Sequence, residues 1–411
     1  MKISLIVLLF LILPGCNIHD NTKTMNNPPI ANAGEDFVGF IGDEITLDGS
    51  LSTGEANLTY NWSLISTPQG SSFSLKNANS AISTFIPDLI GEYSFRLTVS
   101  DGGLASSKDF IYVDITNPPT VTVAKWHDNM DSAISFDWDD SNLTHCSVIA
   151  PLFDKYDLKA TFGVITDTWL ECYQTLSSNG HEIASHSKSH KVNFGFYDVT
   201  NDEKRNELEA SLKFLTQEKL IKPTLFIHPW NSIDLNNILY DEYYLFSRIH
   251  NLYDTEENYQ ANIISSHGLE FFIDLANKNN GWLKIAGHSV DGEGWQPIKS
   301  SDLEDFLAYL IKQNIWVDTH SHIALYQMAR THITANIKNG KIVLNDELID
   351  YELLRSYGVT DLPLTFIIDS IEPIKISGYL TCNDYPYSGE GLMFDYNIMS
   401  QAELVYESCA N

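Results

Sequence analysis

Residues 133–165 read AISFDWDDSNLTHCSVIAPLFDKYDLKATFGVI. A short apolar run closes on Asp139-Asp140, a helix-length stretch follows, and a second apolar run, KATFGVI, completes a strand–helix–strand unit. Working downstream, strand-like PTLFIHPW (223–230), WLKIAGH (282–288) and IWVDTH (315–320) alternate with helical NDEKRNELEASLKFLTQEKL (201–220) and SSDLEDFLAYLIKQN (300–314). This alternation predicts an α/β fold, with βα units around a parallel sheet or barrel and functional side chains just past the carboxyl ends of the strands. Beyond about residue 329 the pattern turns β-like again, in HITANIKNGKIVL, LPLTFIIDS and EPIKISGYL, predicting a small C-terminal β-rich subdomain over 330–411.

Upstream the texture differs. Between the proline pairs of NNPP and TNPPT lie short alternating runs, EITLDGS, LTYNWSLI and YSFRLTVSDGG, broken by Gly, Asn, Ser and Asp. They predict a β-sandwich over 29–116, with Trp62 in its core. This segment resembles a polycystic kidney disease (PKD) domain in ANAGEDF, ITLDGSLS, LTYNWSL and GEYSFRLTVSDGG. NWSLISTPQG stands where the commonest form has a WDFGDG-like turn. Residues 17–28 read as a polar tether.

The first sixteen residues, MKISLIVLLFLILPGC, carry one Lys and then an apolar run from Ile3 to Leu13, too short for a stable spanning helix and of signal-peptide length. The closing LPGC resembles a bacterial lipobox. That resemblance implies residues 1–16 as a lipoprotein signal peptide with Cys16 lipidated, a lipid anchor in the cell envelope and, from Asn17, the outer membrane. Four cysteines remain; proximity pairs Cys146 with Cys172 and Cys382 with Cys409, against free buried thiols. With 25 Lys plus Arg against 54 Asp plus Glu, the formal net charge is −29, which argues against nucleic acid as a partner.

HEIASHSKSH, residues 181–190, holds three of the 13 histidines. His186 and His190 are four apart, so a helical turn would put both imidazoles on one side and let them chelate a cation, given a carboxylate from elsewhere. The adjacent pair Asp139 and Asp140 could split roles, one binding the cation and one taking a proton.

The order of these pieces resembles the polysaccharide deacetylases of carbohydrate esterase family 4 over about residues 121–329. DWDDS stands for the family's TFDDG, GHEIxxHxxxH is matched in full, and Lys159 follows Asp140 by nineteen residues. The resemblance implies a distorted (β/α) barrel. It implies a metal triad of Asp140, His186 and His190 for one divalent cation, Zn2+ first, with Co2+ or Ni2+ as alternatives. Asp139 would be the general base, His288 in LKIAGH the general acid, and the backbone N–H of Trp230 in HPW the oxyanion contact. The substrate implied is an acetylated polysaccharide, foremost the N-acetyl groups of an amino sugar polymer; O-acetyl ester cleavage and non-catalytic glycan binding are the alternatives. The family's third motif supplies an Arg that orients the base, and here Ile227 and His228 stand there, with His228 a candidate substitute. Asp291 and Trp295 in HSVDGEGWQP are candidate lining of the sugar groove, Trp295 alternatively a core residue, and His228 is a further candidate for substrate binding. His320 and His322, on one strand face, raise a second metal site or simply a polar strand end.

Overall fold

The structure, a computed structural model, describes residues 27–55, 57–194, 199–232, 240–248, 258–262, 266–338, 341–369, 374–379 and 392–408. The expected anchor at Cys16 and the pair Cys382 and Cys409 lie outside the described residues. The chain divides into two compact units, Met1–Asn117 and Pro118–Asn411.

In the first unit a four-stranded sheet runs Phe37–Phe40, Asp109–Thr116, Gly91–Ser100, Thr59–Ser66 in spatial order, and Ile45–Asp48 pairs with Ile82–Phe85. Residues of FIYVDIT alternate between exposed and buried, the period-two signature of a half-buried strand. Trp62 is buried with Phe85, Tyr93, Phe95 and Leu97 in a core of this unit's own. The Tyr93 hydroxyl donates to the Leu89 carbonyl at 3.0 Å, tying the turn before its strand.

The second unit is built on a parallel sheet, and its strands are numbered here in chain order: β1 Ser132–Trp138, β2 Thr161–Val164, β3 Glu182–Ser185, β4 Leu225–Phe226, β5 Phe246–Ser247, β6 Asn258–Asn262, β7 Trp282–Gly287 and β8 Ile315–Val317. Their spatial order is β5-β4-β3-β2-β1-β7-β6, with β8 pairing the first half of β1. All pairings are parallel, giving a half-barrel α/β sheet. Helices α1 Ala150–Lys155, α2 Cys172–Ser178, α3 Asn201–Lys213, α4 Ser266–Asn279, α5 Ser300–Leu310 and α6 His320–His332 fall between or after the strands. Every residue of β1 is buried, as a strand covered on both faces requires. Phe136 and Trp138 pack with Phe153, Phe162, Ile285 and Phe306, each large side chain contributing roughly 1.5–3 kcal/mol by leaving water. Helix α3 starts where Thr200 and Glu203 form a capping box, Thr200 Oγ1 accepting the Glu203 N–H at 3.2 Å and Glu203 Oε2 accepting the Thr200 N–H at 2.9 Å.

Thr120–Val123 pairs antiparallel with Pro363–Asp369, which also pairs with Leu392–Asn397, so this strand joins the C-terminal β layer. That layer is also part of the same compact unit as the parallel sheet. Tyr326 of α6 explains the union: it donates its hydroxyl to the Ala124 carbonyl at 3.0 Å and accepts from the Thr365 N–H at 3.4 Å.

Candidate active site and metal centre

At the carboxyl end of β1 the ladder runs one residue further, the Asp139 N–H donating to the Gly287 carbonyl at 2.9 Å. The backbone then turns sharply, with φ 76° at Asp140 and 53° at Ser141, a left-handed conformation that non-glycine residues adopt only when their surroundings compel it. Ser141 Oγ accepts the Ile165 N–H at 2.9 Å, and Asn142 Nδ2 donates to the carbonyls of Asp139 (3.0 Å) and His288 (2.9 Å). The turn sends the two carboxylates to different places. Asp139 is buried, while Asp140 is partly open to solvent.

His186 and His190 converge on Asp140, each with Nε2 3.4 Å from Asp140 Oδ1. No helix carries them: residues 186–190 form a loop, with positive φ at Ser187 (69°) and His190 (57°), so the expected helical turn is corrected to a loop wrapped around the site. Ser187 Oγ accepts the His190 N–H at 3.0 Å, and the buried Glu207 of α3 accepts both the N–H and the hydroxyl of Ser189, each at 2.7 Å. His186 Nδ1 lies 2.8 Å from the Ile227 carbonyl, which only accepts, so the neutral ring carries its proton on Nδ1 and presents a lone pair at Nε2. One ligand atom from each of Asp140, His186 and His190 lies within 4.8 Å of the others. Two imidazoles and a carboxylate are a donor set that could hold a zinc-type cation. Burial, the largest influence on Asp140, pushes its pKa up, but His186, His190 and His288 outweigh it and hold it at about 2. Burial, and then the neighbouring His186, push the His190 pKa down. Asp140 is therefore ionised and His190 neutral at neutral pH.

Asp139 is gripped by a residue the sequence reading missed. Arg248, just after β5 and buried, forms a two-pronged pair with it, Nη1 to Oδ1 and Nη2 to Oδ2 both at 2.8 Å, while Nη2 also donates to Asn231 Oδ1 at 2.6 Å. Burial, the largest influence on Arg248, opposes its charge, but Asp139, Asp137 and Asp140 outweigh it and raise its pKa. FIHPWN lacks an Arg, and the guanidinium that meets Asp139 comes instead from just after β5. His228, the candidate substitute, engages Ser247 Oγ through Nδ1 at 3.0 Å, and its buried ring packs edge-on against Phe194, Phe226 and Tyr240. Gly163 of β2 leaves room for the pair, since a Cβ there would stand 3.0 Å from Asp139 Oδ1.

Asp137, one pleat below Asp139, meets His320 Nδ1 at 3.0 Å, both side chains fully buried. His320 and His322 open α6 rather than sharing a strand face. Thr319 caps that helix, and His322 Nδ1 meets Asp318 Oδ2 at 2.7 Å, so the two rings serve different carboxylates and the second metal site is not formed by them.

His288, after β7, points Nε2 toward the other oxygen of Asp140, at 3.9 Å. Exposed indoles stand on two of the site's histidines. Trp230, with φ 63°, lies against His190 at 5.0 Å between ring centroids, and Trp295 meets His288 edge-on at 4.9 Å. Trp230 is 65% and Trp295 58% exposed, which removes the core alternative for Trp295. Asp291, expected in the groove, instead accepts the Ser300 N–H at 2.9 Å at the start of α5, and Glu293 accepts the Leu143 and Thr144 N–H groups at 2.9 and 2.8 Å. Both carboxylates pin the turn that carries Trp295.

The chain is 24% identical over 286 residues to a gellan lyase of a Bacillus species, covering 58% of this chain and 11% of that protein. It is 36% identical over 105 residues to a dyslexia-associated protein of Mus musculus, covering 24% and 10%. The chain therefore spans about a tenth of the length of the curated relatives it matches. Among solved structures it is similar to the Xyl-CE4 domain of a multidomain xylanase from the hindgut metagenome of Trinervitermes trinervoides, at 18% identity and a TM-score of 0.35, covering 47% of this chain and 89% of that one. Residues 33–115 match a PKD domain model, and residues 127–241, which hold Asp139, Asp140, His186 and His190, match the model of the polysaccharide deacetylase family.

Proposed function

We propose that the second unit is a metal-dependent hydrolase that removes acetyl groups from a polysaccharide, foremost N-acetyl groups of an amino sugar polymer. The observation that carries this reading is the convergence on Asp140 of His186, His190 and His288, beside an arginine-held Asp139. Asp140, His186 and His190 would hold one divalent cation, with Zn2+ favoured by the two-nitrogen, one-oxygen donor set. Such a cation supplies a Lewis acid that polarises the acetyl carbonyl and brings the pKa of nearby water toward neutrality.

The chain's own residues supply the rest. Asp139, fixed at both oxygens by Arg248, accepts the proton of the attacking water. The Trp230 N–H is assigned to the developing oxyanion, in a short turn beside Asn231, whose Oδ1 accepts from Arg248 at 2.6 Å. His288, across Asp140 from the two ligand histidines, gives a proton to the leaving nitrogen as the C–N bond breaks, yielding acetate and a free amine. Trp230 and Trp295 present indole faces to sugar rings at the mouth. Lipid attachment at Cys16 and a place in the cell envelope belong to the same proposal, supported by MKISLIVLLFLILPGC; loss of labelled palmitate incorporation in Cys16→Ser is expected, and labelling that persists would refute it.

The test is acetate release by the full chain from chitohexaose and from acetylated xylohexaose, before and after chelation. Release that chelation stops and Zn2+ restores is expected. No acetate from either would leave a glycan-binding protein instead.

A further inference from the structure

His145 is a fully buried histidine that the proposed chemistry does not use. Its Nε2 lies 2.7 Å from the backbone carbonyl of His288, and its Nδ1 lies 2.9 Å from the Tyr173 hydroxyl. A carbonyl only accepts, so Nε2 carries the proton and Nδ1 accepts from Tyr173. Burial pushes the His145 pKa down to about 4, which keeps this tautomer neutral. Asn142 Nδ2 donates to the same carbonyl. Both donors belong to the segment just after Asp139-Asp140, so the loop carrying the acid is fastened to the loop carrying base and ligand.

The fastening is locked covalently. Cys146 follows His145 and Cys172 precedes Tyr173, and the two cysteines are disulfide-bonded with Cα atoms 6.2 Å apart. His145 also packs against Phe162 of β2 at 5.3 Å between ring centroids, which leaves its ring little freedom to turn away.

We propose that His145 and Tyr173, clamped by the Cys146–Cys172 bond, are positioning residues that hold His288 where it can protonate the leaving group. This rests on the deacetylase reading, in which His288 is the acid. Misplacing an acid is felt where the leaving group needs a proton, as in an amide or a sugar ester, and hardly where it leaves as a stabilised anion, as in p-nitrophenyl acetate. Simple loss of structure would slow both substrates alike.

The experiment compares kcat on p-nitrophenyl acetate with kcat on whichever of chitohexaose and acetylated xylohexaose the wild type turns over, with His288→Ala as the benchmark. His145→Phe is expected to lower kcat on the glycan at least about tenfold more than on the aryl ester, in the direction of His288→Ala. His145→Gln, which restores an N–H donor to the carbonyl, recovers most of the loss. Tyr173→Phe, a milder change should His145→Phe fail to fold, shows the same selectivity at several-fold, and Cys146→Ser with Cys172→Ser follows it. Equal losses on both substrates, or none, would overturn the proposal. If His288→Ala itself shows no selectivity, the acid assignment falls and this inference with it; if wild type releases no acetate from any of the three, the deacetylase reading has failed first.

Discussion

Asp139 and Asp140 are neighbours in sequence and opposites in environment. The left-handed turn at Asp140 and Ser141 separates them, so that one carboxylate meets a guanidinium in the interior and the other meets imidazoles at the mouth. Replacing Arg248 with Met removes both prongs of the pair and leaves a buried carboxylate alone, a change worth about 3–5 kcal/mol for a buried ion pair broken on one side. Turnover of Arg248→Met should fall about a hundredfold, and Arg248→Lys, which keeps the charge but not the fork, should fall less. Equal activity in all three proteins, measured as acetate release, would mean that Arg248 does not orient the base. Gly163→Ala tests the same contact from β2: its Cβ would stand 3.0 Å from Asp139 Oδ1 and from Ile227 Cδ1, and a loss of turnover on the order of tenfold with metal content unchanged is expected.

At the scale of elements, the histidine loop is shaped by a helix that contributes no ligand. Glu207 of α3 holds Ser189 at two points, one residue before His190. Glu207→Ala should therefore weaken Zn2+ affinity by roughly 10–100-fold, the usual cost of losing a group that orients a ligand. Calorimetric titration reads this directly, and an unchanged affinity would show that the loop holds itself. The same element shows why the sequence was only partly legible. The pattern of HEIASHSKSH marks the two proposed ligands by identity and spacing, yet spacing alone suggested a helix, because positive φ at Ser187 and His190 leaves no trace in residue type. Arg248 escaped for a related reason: β5 is two residues long, too short for any periodicity to announce a strand end there. His145, a lone histidine beside a cysteine, carried no signal beyond the Cys146–Cys172 proximity. His320 and His322 misled because DTHSH reads as strand until Thr319 is recognised as a helix cap.

Over the whole molecule, the alternation of apolar and helical stretches showed the α/β unit, and short alternating runs between proline pairs showed the sandwich. What the alternation could not show is the pairing of Thr120–Val123 with strands more than two hundred residues away, since register between distant strands is set by tertiary packing. The sandwich buries Trp62, Tyr93 and Phe95 within its own contacts and holds none of the proposed catalytic residues. Residues 27–117 expressed alone are accordingly expected to unfold in a single cooperative transition, and a protein lacking them to retain acetate release from chitohexaose or acetylated xylohexaose. A truncated protein that folds but releases no acetate would tie the sandwich to the chemistry.

The central claim is that one cation sits on Asp140, His186 and His190 with Asp139 beside it as an unligated base. Its most direct measurement is Zn2+ content and acetate release determined on the same samples of wild type, Asp139→Asn and Asp140→Ala. Wild type and Asp139→Asn are expected to carry one Zn2+ per chain, with turnover only in wild type, and Asp140→Ala to lose the metal. Full turnover in Asp139→Asn, or undiminished metal in Asp140→Ala, would overturn these assignments.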